Sequence, residues 1–253
     1  MPLKPNSTVL ITGGASGVGR AMGEAFDAAG ATIWVVDVDQ TALDTCPDQW
    51  GRACFDVTNE NAIKTLFDSH LTDGIDVLCA NAGIAGPTAA IEDIKLDDWR
   101  ACTAVNLDSA FLFSKYAVPA MKSRGSGSII ITSSTAGLHG YPQRSPYASA
   151  KWAVIGLAKT LAMELGPHGI RANALCPGSV NGPRMDGVIA REAELKGREP
   201  EDIRTGYTAG TSMRTFVDAA DIANMAVFLA SDEGRYVTGQ AISVDGHVFN
   251  PDP

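Results

Sequence analysis

The run Thr8-Val9-Leu10-Ile11-Thr12 passes directly into Gly13-Gly14-Ala15-Ser16-Gly17-Val18-Gly19, and this order of residue types constrains the fold more than any other segment. A β-branched run favours a strand, glycines permit a tight turn, and Val18, Met22, Ala25, Phe26 and Ala29 then recur at helical spacing until Gly30. Strand, turn and amphipathic helix are followed by a second buried run, Thr32 to Val36. The alternation continues: strand-like runs lie near 8–12, 32–36, 52–57, 76–81, 128–133, 171–176 and 240–244, and helical stretches near 17–29, 59–70, 98–122, 147–165 and 218–230. The pattern predicts an α/β fold, a doubly wound sheet of seven mainly parallel strands flanked by helices on both faces. With 253 residues, 45% of them apolar, and no linker, low-complexity stretch or repeat, residues 1–253 read as a single domain.

Glycines at a strand-to-helix turn let the backbone approach a pyrophosphate, and the helix N-terminus offers free N–H groups and about half a positive charge. The spacing GxxxGxG differs from the usual GxGxxG, and the next strand decides between a plain turn and a dinucleotide site. That strand ends in Asp37, 20 residues after Gly17, where a ribose-binding acid is expected. A carboxylate there accepts hydrogen bonds from both adenosine ribose hydroxyls and repels a 2′-phosphate. Ser16 and Val38 offer no cation nearby, so NAD is expected in preference to NADP.

Tyr147 and Lys151 lie four apart in Ser145-Pro146-Tyr147-Ala148-Ser149-Ala150-Lys151, hence on one face of a helix whose start is marked by Ser145 as N-cap and Pro146, and whose end is marked by Gly166-Pro167. An ammonium roughly 5 Å from a phenol, at an effective dielectric of about 20, favours phenolate by about 3 kcal/mol. A Tyr so tuned exchanges a proton with an alcohol near neutrality.

Taken together, these segments resemble the short-chain dehydrogenase/reductase family over nearly the whole chain. The family's TGxxxGxG turn is met by Thr12, Gly13, Gly17 and Gly19, with Ser16 and Val18 between them. Its adenine-side pair appears as Asp56-Val57, its NAG element as Asn81-Ala82-Gly83, its helix Asn as Asn106, and its Pro-Gly element as Pro177-Gly178. The family's catalytic Ser stands 13 residues before the Tyr, which points to Ser134, with Ser133 the less favoured neighbour. The resemblance implies a Rossmann-like fold and NAD as cofactor. It also implies Tyr147 as acid-base residue, Ser134 on the substrate oxygen, Lys151 on the Tyr pKa and the nicotinamide ribose, and Asn106 on a water leading from Lys151 to solvent. Such a site transfers a hydride between NAD and a small-molecule secondary alcohol or ketone. Where the family often has a Thr for the nicotinamide carboxamide, this chain has Gly182, which leaves the backbone of Val180 or Asn181 for that contact. The resemblance further suggests a homotetramer and a substrate lid over 184–214. Met185, Tyr207, His139 and Gln143 are expected to face the pocket, and Arg144 and Arg184 are read as solvated surface arginines or, as the less favoured alternative, as ligands of a substrate carboxylate.

Two other readings compete: an epimerase or dehydratase that retains NAD, which usually has a longer C-terminal substrate domain, and a catalytically silent redox-sensing NAD binder, which would be expected to lack the Tyr or the Lys. The five cysteines are scattered and odd in number, and the four histidines have no metal-ligand spacing, so reduced core thiols and no metal site are expected. A net charge of −9 with no basic cluster argues against nucleic acid, and no run approaches 18 apolar residues, so a cytoplasmic protein with no membrane partner is expected.

Overall fold

The alternation read from the sequence is realised as one parallel sheet. The computed structural model describes Leu3, Lys4 and residues 6–250. Among these, seven strands pair in the order β3-β2-β1-β4-β5-β6-β7, every pair parallel. The strands are β1 (Thr8–Thr12), β2 (Thr32–Asp37), β3 (Gly51–Cys54), β4 (Val77–Ala80), β5 (Gly127–Thr132), β6 (Ile170–Pro177) and β7 (Ala241–Val244). The helices are α1 (Gly17–Ala28), α2 (Gln40–Asp44), α3 (Glu60–Ser69), α4 (Leu96–Thr103), α5 (Ser109–Arg124), α6 (Ser145–Leu165), α7 (Pro183–Lys196), α8 (Pro200–Ala209) and α9 (Ala219–Ala230). Strand order reverses between β1 and β4, and ligands of open α/β sheets bind outside the carboxyl ends of strands at such a switch point.

A parallel sheet with both faces covered needs strands that are apolar on both sides, and β1 and β4 are buried almost throughout. One apolar core lies under α3, α5 and α6, around Phe67, Phe113, Met121 and Val154. The other lies under α1 and α9, around Met22, Phe26, Ile222 and Leu229. A third cluster, separate from both, joins α7 to α8 through Ile189, Ala193, Ile203, Tyr207 and Phe216.

Three local differences from the sequence reading have physical causes. The expected helix 98–122 is two α-helices joined by a π-helical turn, Ala104–Asp108, and that insertion re-aims Asn106 into the protein. Arg144, not Ser145, occupies the N-cap of α6, so Pro146 falls in the first turn, where no N–H is needed. The short α2 follows β2 because Asp39 caps it, its side chain accepting from Ala42 N at 3.1 Å.

The face of α1 that meets the sheet is narrow at Gly23, where a Cβ would run into the Trp50 indole. Trp50 cannot yield freely, because its Nε1 donates to Asp27 at 2.8 Å and Arg20 stacks over its ring. Gly23→Ala is therefore expected to destabilise the protein by about 1–3 kcal/mol, the usual cost of overpacking. A melting temperature equal to that of the unsubstituted protein would contradict this contact.

Candidate active site

The carboxyl ends of β1, β4 and β5 converge on a cleft of about 510 Å³. Asn81, just past β4, organises the centre of it. Its Nδ2 donates to the carbonyls of Thr12 at 3.2 Å and Gly13 at 3.3 Å, while its Oδ1 accepts from Thr132 Oγ1 at 3.1 Å. In return Thr12 Oγ1 accepts the N–H groups of Asn81 at 3.0 Å and Ala82 at 2.9 Å. The glycine turn is thereby fixed to the neighbouring strand ends, and Gly19 has no room for a side chain against the Gly13 carbonyl.

Whether this end of the cleft suits a dinucleotide can be read from its unfilled donors. Ser16 is extended and provides no side-chain cap to α1. Among the described residues the N–H groups of Gly17, Val18 and Gly19 have no protein acceptor, as expected of an uncapped helix start, and these residues line the cleft. No atom lies within 4 Å of where a Cβ of Gly17 would stand. Asp37 lines the same end. One of its oxygens accepts from Ala15 N at 3.1 Å and the other from Val38 N at 2.8 Å and Asp39 N at 3.2 Å. A carboxylate has about four acceptor sites, so the turn contacts leave capacity for a ribose hydroxyl. Asp56 and Val57 line the cleft beside it, with Asp56 Oδ1 closing a turn onto Thr58.

At the opposite end, α6 carries Tyr147 and Lys151 on the face turned to the cleft. Lys151 is buried, 2% exposed, and its Nζ donates to the Thr132 carbonyl at 2.8 Å. Burial pushes the Lys151 ammonium down, with Arg184 adding to the effect and Tyr147 opposing it. Burial alone would raise the Tyr147 phenol, but the charges of Lys151 and Arg184, a hydrogen bond with Ser134 and the charge of Arg144 outweigh it and hold the phenol below its ordinary value. Ser134 and Ser133 make different contacts. Ser133 Oγ is buried and donates to the Lys151 carbonyl at 2.7 Å, locking α6 to β5, whereas Ser134 Oγ accepts from Ala136 N at 3.1 Å and lines the cleft with Tyr147.

Asn106 Nδ2 donates to the carbonyls of Cys102 at 2.8 Å and Ile84 at 3.0 Å, and its Oδ1 is buried without a partner. An orphaned buried oxygen is costly unless water reaches it. Gly83 leaves the room: a Cβ there would lie 2.6 Å from that Oδ1 and 3.4 Å from Lys151 Nζ.

The Pro177-Gly178 turn leads to Val180, which bridges to Val217. Asn181 lines the cleft, with its N–H donating to Val217 at 2.9 Å and its Nδ2 to Asp218 at 2.7 Å, so only its acceptors face the site unengaged. The backbone N–H and carbonyl of Val180 make no hydrogen bond among the described residues. Gly182 adopts φ +135°, a region essentially reserved for glycine, which explains the missing Thr. Met185 and Tyr207 line the cleft as expected. Gln143 lines only a small adjoining cavity, and His139 lines neither, because the turn before α6 carries both away from the phenol.

A family model described as enoyl-(acyl carrier protein) reductase matches residues 13–247. The chain belongs to the short-chain dehydrogenase/reductase family. It is an oxidoreductase of that family. It is 35% identical over 246 residues to the 2,5-dichloro-2,5-cyclohexadiene-1,4-diol dehydrogenase of Sphingobium indicum, covering 94% of this chain and 95% of that one. It is 42% identical over 173 residues to the trans-4-hydroxycyclohexanecarboxylate dehydrogenase of Sinomonas cyclohexanicum, covering 68% of this chain and 60% of that protein. Among solved structures it resembles carveol dehydrogenase from Mycobacterium avium in complex with NAD, with TM-score 0.89, 31% identity and coverage of 98% and 99% of the two chains.

Every family motif residue named from the sequence lines or supports this one cleft. The supporting roles of Thr12, Thr132 and Ser133 were not legible, because each acts through a carbonyl or an amide of another segment. Cation spacing alone also could not place Arg144 over the Tyr147 ring, 4.8 Å from its centroid, or Arg184 against the Gly83 carbonyl at 3.1 Å.

Gly83→Ala tests the gap beside Asn106. The Asn106 amide is pinned by two carbonyls and cannot retreat, so the NAG turn must shift, and turnover is expected to fall about tenfold or more. Unchanged kinetics in the purified variant would show that the gap has no function.

Proposed function

We propose that this oxidoreductase transfers a hydride between NAD and a secondary hydroxyl on a ring carbon, with Tyr147 as general acid-base residue. The observation that carries this reading is the gathering of the Tyr147 phenol, Ser134 and the buried Lys151 ammonium, 5.6 Å from the Tyr147 ring centroid, in the cleft whose other end presents Asp37 and an uncapped helix N-terminus. The ring-alcohol substrate is suggested by the relatives, named for a cyclohexadienediol and a hydroxycyclohexanecarboxylate.

Gly13, Ser16, Gly17, Val18 and Gly19 would hold the pyrophosphate, and Asp37, Asp56 and Val57 the adenosine. Asn81, Ala82, Gly83, Lys151, Pro177, Gly178 and the Val180 backbone would surround the nicotinamide riboside. Bound there, NAD supplies a hydride acceptor for the carbinol carbon. The chain supplies the rest. Ser134 Oγ donates to the substrate oxygen and fixes its place beside Tyr147 Oη. Tyr147 takes the hydroxyl proton in oxidation and returns it in reduction, and the cations around it keep the phenolate accessible. Lys151 is too buried to exchange protons directly, and Asn106 Oδ1 provides the acceptor for a water that links it outward. Helices α7 and α8 act as a lid that excludes water and shapes specificity. The complete Ser134, Tyr147, Lys151 and Asn106 set argues against a silent binder.

Exposed Phe111 on α5 and Trp152 and Met163 on α6 fit the expected homotetramer, in which these helices meet other copies. Free thiols at all five cysteines suit a reducing, cytoplasmic setting. No described helix is long and apolar enough to cross a membrane.

NADH formation across a panel of ring alcohols tests the reading, with Tyr147→Phe as control. Turnover should fall about a hundredfold or more in that variant while NADH binding persists. Because the phenol sits below its ordinary value, kcat/KM for oxidation should rise through a midpoint below that of free tyrosine and then level off. Reduction, which needs the protonated phenol, should decline over the same range. A Tyr147→Phe enzyme with intact turnover sinks the assignment.

Asp37→Ala should narrow the preference for NAD over NADP about tenfold or more, since it removes both the ribose acceptor and the repulsion of a 2′-phosphate. An unchanged ratio of the two affinities would show that another group reads the ribose.

A further inference from the structure

The charge in the cleft is segregated. The carboxylates that line it among the described residues, Asp37 and Asp56, stand at the adenosine end, whereas the Tyr147 end is lined by Arg144, Lys151 and Arg184. All three cations act on the Tyr147 phenol. Lys151 is buried and spends its ammonium on the Thr132 carbonyl at 2.8 Å, whereas the guanidinium groups of Arg144 and Arg184 keep N–H donors unspent.

Arg20, Arg52, Arg124 and Arg204 each have an Asp or Glu partner. Among the described residues neither Arg144 nor Arg184 has a carboxylate within 4.0 Å, although the chain carries a net charge of −9. Glu192 lines the small cavity that Arg144 also borders, but its oxygens hold Tyr207 Oη at 2.6 Å and Lys196 Nζ at 2.9 Å. Arg144 is half-buried, its Nε has no hydrogen-bond partner, and its Nη2 makes only one long contact, 3.4 Å to the Ala85 carbonyl. Its guanidinium lies 4.8 Å from the Tyr147 ring centroid, which places it beside the reacting group. Arg184 keeps one amine on the Gly83 carbonyl at 3.1 Å and is otherwise exposed to the cleft. A water in the small cavity, of about 20 Å³ and bordered also by the unpartnered Thr88 Oγ1, would serve Arg144 Nε and fix its plane. It would not supply a counter-charge. Two guanidinium groups without one, at the mouth of a low-dielectric site, are complementary to a planar anion that accepts paired hydrogen bonds.

Resting on the dehydrogenase reading above, we infer that Arg144 and Arg184 form an anion subsite and that the substrate is a hydroxy acid, an alcohol bearing a carboxylate that these arginines hold while Tyr147 faces the hydroxyl. Arg144 is the more decisive member because it is the more buried and stacks on the phenol itself. Arg184 closes the subsite from the start of α7, so the first turn of the lid reads the anion as it covers the cleft.

The test needs no turnover. Cyclohexanecarboxylate has the anion and lacks the hydroxyl, and cyclohexanecarboxamide is its neutral counterpart. Calorimetric titration of each into the NADH-loaded protein should show the carboxylate binding about tenfold or more tightly than the carboxamide. Arg144→Met should abolish that ratio and Arg184→Met reduce it, with NADH affinity measured in parallel. Absence of carboxylate binding, equal binding of the two probes by the unsubstituted protein, or a ratio that survives Arg144→Met would overturn the subsite. So would Arg184→Met weakening NADH while the ratio stays constant, which would assign that arginine to the cofactor. Oxidation of neutral ring alcohols by an enzyme that shows no carboxylate preference would remove this inference alone. Failure to oxidise any alcohol, neutral or acidic, would remove the dehydrogenase reading instead.

Discussion

The hydrogen bonds that Asn81 makes across the strand ends are the constraint on which the rest of the site depends. Its side chain meets the carbonyls of Thr12 and Gly13 on one side and the Thr132 hydroxyl on the other, while the Thr132 carbonyl holds Lys151. One amide thus connects the glycine turn, the end of β5 and the ammonium on α6. It stands at the point where strand order reverses, where no neighbouring crossover helix fills the space above the sheet. The glycine turn and the Lys151 ammonium are therefore tied to the same strand ends.

Around that anchor, two opposing effects set the state of Tyr147. Burial disfavours the phenolate, and the surrounding cations favour it. Neither alone gives a useful acid-base residue: an isolated buried phenol stays protonated, and a solvent-exposed one gains little from a screened ammonium. Burial of Lys151 serves both purposes, since it makes the ammonium less stable on its own and strengthens its interaction with the phenol. Ser133, locked onto the Lys151 carbonyl, keeps the helix from relaxing away from β5.

Much of this was legible in the sequence because it depends on local periodicity. The strands fall where the β-branched runs place them, and Tyr147, Lys151, Ser134, Asp37 and the glycines occupy the cleft their spacing implied. What stayed hidden depends on geometry that spacing does not encode. The π-helical turn at Ala104–Asp108 leaves no mark in the pattern of Leu96–Arg124, which reads as one helix. The bond from Asn181 to Asp218 also leaves no mark, because the two lie 37 residues apart. His139 and Gln143 precede α6 closely but point elsewhere, since the positive φ of Gln143 turns the chain between them and the phenol.

The small core that joins α7 to α8 is apart from the two cores that hold the sheet. Ile189, Ile203 and Phe216 share no hydrogen bond with Asn81 and line no part of the cleft, while Tyr207 of the same cluster does line it. The molecule is in this sense two materials in one chain: a frame tied together across the strand ends, and a cover with a small core of its own. A lineage could exchange one alcohol for another by rewriting the cover and leave the machinery of hydride transfer as it was.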